Sequence, residues 1–177
     1  MGKRLFLNIV MVGTVVMLFA SCSYKLTQNG ASIPADLKTI DIQFFENNAP
    51  LVVPTLSQQF TEALKDRIRS QTSLSIVRTE GANATMSGAI TGYSIAPASI
   101  QATNPNVAPI AGASRLTITV QVKYVYEKDK KLSFDESFTK DKVFTGDLST
   151  QEPALIRDIS KQLTDDIFNR AFANWNN

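Results

Sequence analysis

The run RLTITVQVKYVYEK at 115–128 constrains the fold more than any other stretch, because its side chains alternate in character along fourteen residues. Leu116, Ile118, Val120, Val122, Tyr124 and Tyr126 share one face of an extended chain, and Thr117, Thr119, Gln121 and Lys123 share the other. Alternation of that length predicts a strand with one buried and one polar face, as in an antiparallel sheet covered on a single side. Asp129, Lys130 and Lys131 offer a short turn, and LSFDESFTKDKVF at 132–144 is the natural hairpin partner.

The remaining segments supply what must cover that face. Leu37 to Glu46 alternates, with Ile40, Ile42 and Phe44 on one side, and reads as a strand broken by NNAP at 47–50. Over 55–71 the apolar positions Leu56, Phe60, Ala63, Leu64 and Ile68 fall on one helical face, with Thr55 and Gln58 spaced as a capping box just inside Pro54. Ser73 to Thr79 is rich in branched residues and predicts a strand, closed by the turn signal at Glu80 to Asn83. Thr85 to Ile95 predicts another, whose Gly88 and Gly92 are costly in a strand and point to a bulge or a close backbone approach.

Residues 96–113, with Pro97, Pro105, Pro109 and Gly112, carry no periodicity. Ser149 and Glu152 repeat the capping box, and Leu155, Ile156, Ile159, Leu163, Ile167 and Ala171 stripe one face of a helix ending near Trp175. The order strand, helix, strand, strand, hairpin, helix predicts an α+β two-layer sandwich. Two helices would pack on one face of a mixed sheet of four to five strands, and the other face, lined by Thr, Ser, Gln and Lys, would meet water or a partner.

Composition excludes most chemistry. The 177 residues include no histidine and one cysteine, so a Ser-His or Cys-His nucleophile pair and a His-ligated metal site are out of reach. Asp165 and Asp166 are adjacent carboxylates, but neighbours on a helix do not face one another and cannot work as an acid and base pair. The GAITG at 88–92 lacks the spacing and the lysine of a phosphate loop. No catalytic residue, metal or cofactor is expected.

The first 22 residues read as an export signal. Lys3 and Arg4 precede an apolar core from Leu5 to Ala20, which is broken by Asn8, Gly13 and Thr14 and falls short of the roughly 20 residues that a spanning helix needs. The string LFASC at 18–22 resembles the lipobox of bacterial lipoproteins, departing from it at Phe19, where an aliphatic residue is usual. That resemblance implies cleavage before Cys22 and acylation of its sulfur and new amino group, which explains an odd cysteine in an exported chain. The other reading is an ordinary secretory signal followed by an unpaired thiol. By resemblance to lipoproteins generally, Ser23 argues against retention at the inner membrane, which leaves the periplasmic face of the outer membrane. The expected layout is a signal peptide at 1–21, an acylated cysteine and tether at 22–36, and one domain at 37–177.

Processing also removes the charge imbalance. The net charge of +2 resides in Lys3 and Arg4, so the mature chain balances 16 cations against 16 anions and gives no electrostatic argument for nucleic acid. One local bias survives: Lys123, Lys128, Lys130, Lys131, Lys140 and Lys142, with Arg115, concentrate on the predicted hairpin. Lysine on exposed strands is a common device against edge-to-edge aggregation. The alternative is contact with anionic groups such as lipid phosphates, for which Lys128, Lys130, Lys131, Lys123 and Arg115 are the candidates.

Beyond its leader, the chain resembles the LptE family of lipopolysaccharide-assembly lipoproteins in the form found in Bacteroidetes-type bacteria. The residues that carry the resemblance are GASIPADLKTIDIQFFENNAPLVVPTLSQQFTEALKDRI at 30–68, SGAITGYSIAPASI at 87–100, RLTITVQVKY at 115–124 and DIFNRAFANW at 166–175. What it implies is a non-enzymatic subunit of the outer-membrane lipopolysaccharide translocon. Such a subunit sits in the lumen of an LptD-type β-barrel as a plug, assists assembly of that barrel and touches lipopolysaccharide. The fold implied is again two helices on a mixed sheet. Basic residues at one end of the sheet are implicated in lipopolysaccharide contact elsewhere in the family, but no motif match places them here. The competing reading is a free-standing periplasmic lipoprotein that binds a ligand or serves another envelope complex. A closed pocket would favour that reading, whereas a filled core with a broad polar sheet face favours the plug.

Overall fold

The computed structural model describes residues 33–79, 81–98 and 112–173. In chain order the elements are β1 (Thr39–Ile42), β2 (Glu46–Asn47), α1 (Leu56–Gln71), β3 (Ser75–Val77), β4 (Ala84–Pro97), β5 (Ala113–Tyr126), a 3-10 turn (Lys130–Leu132), β6 (Phe134–Thr145) and α2 (Leu148–Phe172). They build the expected α+β fold. The sheet runs β3-β1-β4-β5-β6, with β2 also alongside β4. Pairing is parallel between β1 and β3, β1 and β4, and β2 and β4, and antiparallel from β4 through β6, so the sheet is mixed.

The hairpin forms as its alternation dictates. All six apolar residues from Leu116 to Tyr126 are buried, and the 3-10 turn is closed by Asp129, whose carboxylate accepts from the Lys131 amide at 3.0 Å. Leu155, Ile156, Ile159, Leu163, Ile167 and Ala171 of α2 are all buried, as are Leu56, Phe60, Leu64 and Ile68 of α1. These side chains merge into one apolar cluster, so both helices cover the same face of the sheet. Burying each such side chain contributes about 1.5–3 kcal/mol. Trp175, where the last helix was expected to end, lies outside the described residues.

The first strand departs from expectation. Ile40 and Ile42 are buried as predicted, but Phe44 is 57% exposed and Phe45 is the buried ring. Pairing with β4 steps from Ile42↔Met86 to Glu46↔Ala89, so four residues on one strand span three on the other. That extra residue reverses side-chain parity and splits one expected strand into β1 and β2, which makes six strands of the expected four to five. Phe45 then packs edge-on against Phe60 with ring centroids 5.2 Å apart, and its amide donates to Thr61 Oγ1 at 3.1 Å.

Gly88 makes room for this ring. A Cβ at Gly88 would lie 2.7 Å from Phe45 Cε1 and would also strike the Gln121 carbonyl, which is the close approach expected of a strand glycine. The expected bulge occurs too, between Ile90 and Gly92, where the register with β5 shifts by one.

Both helix starts differ from the capping boxes read in the sequence. Thr55 makes no side-chain cap bond, and α2 begins earlier, at Asp147, whose carboxylate accepts from the Ser149 amide at 3.0 Å. Glu152 is drawn away from the cap because its Oε1 accepts from the Tyr93 hydroxyl at 2.6 Å. Burial and that carboxylate push the Tyr93 phenol well above its ordinary pKa.

Candidate functional site

The uncovered face of the sheet is polar, and strand pairing arranges its side chains in rows. Ser87, Lys123 and Asp135 share one row, Ala89, Gln121 and Ser137 the next, then Gly92, Thr119 and Thr139, then Ser94, Thr117 and Asp141. Several of these groups bond across the strands. Gln121 donates to Asp135 at 2.6 Å, the Thr119 and Thr139 hydroxyls meet at 3.0 Å, and Arg115 pairs diagonally with Asp141 at 3.3 Å. Cross-strand pairs of this kind are worth about 0.2–1 kcal/mol each and leave a flat, hydrogen-bonding surface.

The basic candidates do not form one cluster. Lys130 and Lys131 occupy the exposed 3-10 turn, and Lys128 beside it pairs with Asp36 at 3.0 Å. The Lys128 ammonium, and after it the Tyr126 hydroxyl, hold the Asp36 carboxyl below the usual carboxylate range. Lys123 lies exposed on the uncovered face, nearer the turn. Arg115 stands at the other end of β5, roughly 35 Å away at about 3.3 Å per strand residue, and is matched there to Asp141.

Lys140 and Lys142 belong elsewhere. They point to the helix side of β6, where Lys140 meets Asp166 at 2.7 Å and Lys142 meets Asp158. That contact with Lys142 holds the Asp158 carboxyl below its ordinary range. On the same side of β6, Glu136 receives Arg170 Nε and Nη2 at 2.6–3.1 Å, and the guanidinium stacks 4.6 Å over the Phe134 ring. The edge strand is thus clasped to α2 by alternate charged residues.

Among the described residues the buried apolar side chains form one cluster, and three open clefts indent the surface. One, of about 440 Å³, is lined by Asp41, Gln43, Arg78, Thr79 and Thr85. A second, of about 640 Å³, shares Asp41, Gln43 and Arg78 and continues to Phe44 and Pro54. A third, of about 420 Å³, lies between the helices near Gln59 and Pro153. The sequence reading missed the shared lining residues because none carries a motif. Only the topology joins β1 to the end of β3.

No group of metal-ligating side chains occurs among the described residues, and none of the described helices is long and apolar enough to cross a membrane. Cys22 and the tether up to Ser32 lie outside them, as does the aperiodic stretch 99–111.

A family model described as LptE, lipopolysaccharide-assembly, matches residues 37–171, which is most of the chain. No curated protein matches the sequence. Among solved structures, a Xanthomonas campestris protein of the DUF330 family is similar with a TM-score of 0.50 at 10% identity, over 78% of this chain and 88% of that one. A minor lipoprotein from Acinetobacter baumannii gives a TM-score of 0.49 at 13% identity, covering 76% of this chain and 91% of that one. Rare lipoprotein B from Shewanella oneidensis gives 0.47 at 12% identity, over 75% and 92%. The match over residues 37–171 decides the assignment: the chain belongs to the LptE family, a non-enzymatic family of lipopolysaccharide-assembly lipoproteins.

Proposed function

We propose that this protein is an outer-membrane lipoprotein subunit of the lipopolysaccharide translocon, one that plugs an LptD-type β-barrel and assists its assembly. In this reading residues 1–21 are removed as a signal peptide and Cys22 carries the acyl chains. Residues 22–36 are the tether, 37–177 form the plug, and the domain is held at the periplasmic side of the outer membrane. The observation that supports it best is the pairing of one contiguous apolar core with an uncovered sheet face whose polar groups bond across the strands. Such a body needs no ligand to be stable and can meet a polar barrel lumen through many hydrogen bonds. Tethering raises its effective concentration beside the barrel. Purification of the full chain from detergent-solubilised outer membrane should bring down a β-barrel of LptD size, and repeated recovery without one would sink the idea.

In the same reading Lys128, Lys130 and Lys131, with Lys123 beside them, contact lipopolysaccharide phosphates, whereas Arg115 is committed to Asp141 at the other end of the strand. Changing Lys128, Lys130 and Lys131 together to Glu should weaken binding of lipopolysaccharide more at low salt than at high salt. Asp36→Asn, which releases Lys128, should do the reverse. Equal binding by all three proteins would return these lysines to a solubility role.

A further inference from the structure

Two clefts meet at Asp41, Gln43 and Arg78, one lined by strand and loop residues alone and the adjoining one also by Gln58, Glu62 and Lys65 of α1. The side chains of Asp41, Gln43, Arg78, Thr79 and Thr85 line one recess, and among the described residues none of them bonds or pairs with another side chain. Asp41 and Arg78 carry opposite charges and face the same space without forming an ion pair. On the rest of that face Arg115 and Asp141 do form such a pair. In the adjoining recess Lys65 is not free, since it is held by Glu62 at 2.8 Å. Arg78, whose charge also acts on Glu62 across the adjoining recess, is the cation of the combined trough that forms no ion pair among the described residues. Phe44, turned outward by the parity reversal in the first strand, adds an exposed aromatic ring at its far end.

We infer that this trough binds an acidic saccharide, a sugar ring that carries an anionic substituent. The donor and acceptor set selects that chemistry. Arg78 offers a planar fork for a carboxylate or phosphate. Asp41 would repel a bare anion but accepts from hydroxyls, and Gln43, Thr79 and Thr85 can each donate and accept. A neutral sugar leaves the guanidinium unused, and a simple anion leaves Asp41 unfavourably placed. Phe44 supplies the apolar surface that a sugar ring can lie against. Identifying the natural ligand with the glycan of lipopolysaccharide rests on the function proposed above, whereas the site itself rests on the geometry. The anionic group could be a carboxylate or a phosphate, and the test separates the two.

The full chain, ¹⁵N-labelled in detergent micelles, is titrated separately with glucuronic acid, glucosamine 6-phosphate, glucose and inorganic phosphate. At least one acidic sugar should shift the backbone amides of Asp41, Gln43, Phe44, Arg78, Thr79 and Thr85, and the better of the two identifies the anionic group. Glucose and inorganic phosphate should bind at least roughly tenfold more weakly, because each lacks half of the recognised chemistry. Arg78→Gln should weaken the acidic sugar by roughly tenfold or more, Asp41→Asn by less, and Thr119→Val, on the mutually bonded part of the face, not at all. The amide spectrum of each variant reports its folding directly. Absence of shifts with both acidic sugars, inorganic phosphate binding as tightly as the sugar phosphate, or an unaltered affinity in Arg78→Gln overturns the proposal. Recovery of the barrel with the full chain is scored independently. A barrel without sugar binding defeats the trough and leaves the plug standing, and sugar binding without a barrel does the opposite.

Discussion

Two parts of the uncovered sheet face carry the same kinds of residue and use them differently. Across β4, β5 and β6, Gln121 bonds Asp135, Thr119 bonds Thr139 and Arg115 meets Asp141. Around β1 and β3, Asp41, Gln43, Arg78 and Thr85 are left facing a cleft. The cause is the strands beneath. Long antiparallel strands set side chains opposite one another at about 4.5–5.5 Å between Cβ atoms, close enough for short polar groups to meet. Beside β1, a three-residue parallel strand and an inserted residue end the ladder before such pairs can form. A regular ladder consumes its own polarity, and an interrupted one leaves polarity to spend on a ligand.

The boundary between the two parts is set by Phe45, and breaking it should have the largest effect. Phe45→Ala removes a fully buried ring and should cost about 3–5 kcal/mol in urea denaturation; a loss below about 1 kcal/mol would place the boundary's cause elsewhere. Gly88→Ala, which thrusts a methyl group toward that ring and the Gln121 carbonyl, should cost about 1–3 kcal/mol, and Phe45→Leu in the same chain should recover part of it. On the bonded part of the face, a double-mutant cycle with Thr119→Val and Thr139→Val should give a coupling of about 0.2–1 kcal/mol. In the cleft, Arg78→Gln and Asp41→Asn should each change stability by less than about 0.5 kcal/mol, because no side-chain partner is lost. A large loss from either would mean that the cleft is built for stability rather than for binding.

How much of this was legible in the sequence follows from how local each determinant is. The alternation from Leu116 to Tyr126 and the stripe from Leu155 to Ala171 placed their side chains correctly because regular strands and helices repeat a fixed period. Gly88 and Gly92 announced a close approach and a bulge, since a strand accepts glycine at a cost. Phe44 misled because a single inserted residue reverses parity, and nothing next to it in the chain marks the insertion. The capping boxes failed for a different reason. Glu152 has the right spacing, but a tyrosine 59 residues away in the chain competes for its carboxylate. The basic hairpin was legible as a count of lysines, not as a site, because only the folded pairing sends Lys140 and Lys142 to α2 and Arg115 to the far end. The Arg78 cleft was illegible, since it joins the ends of two short strands around an intervening helix.

The clasp between β6 and α2 also has a bearing on the order of events during folding. Helix α2 follows every strand of the sheet in the chain, so the sheet can form before this cover arrives. Until then Glu136, Lys140 and Lys142 lie bare on the helix side of a twelve-residue edge strand. Inward-pointing charges make such an edge a poor template for another chain's strand. When α2 docks, the same three residues find Arg170, Asp166 and Asp158. The charges that keep the unfinished protein solitary become the catch that closes the finished one.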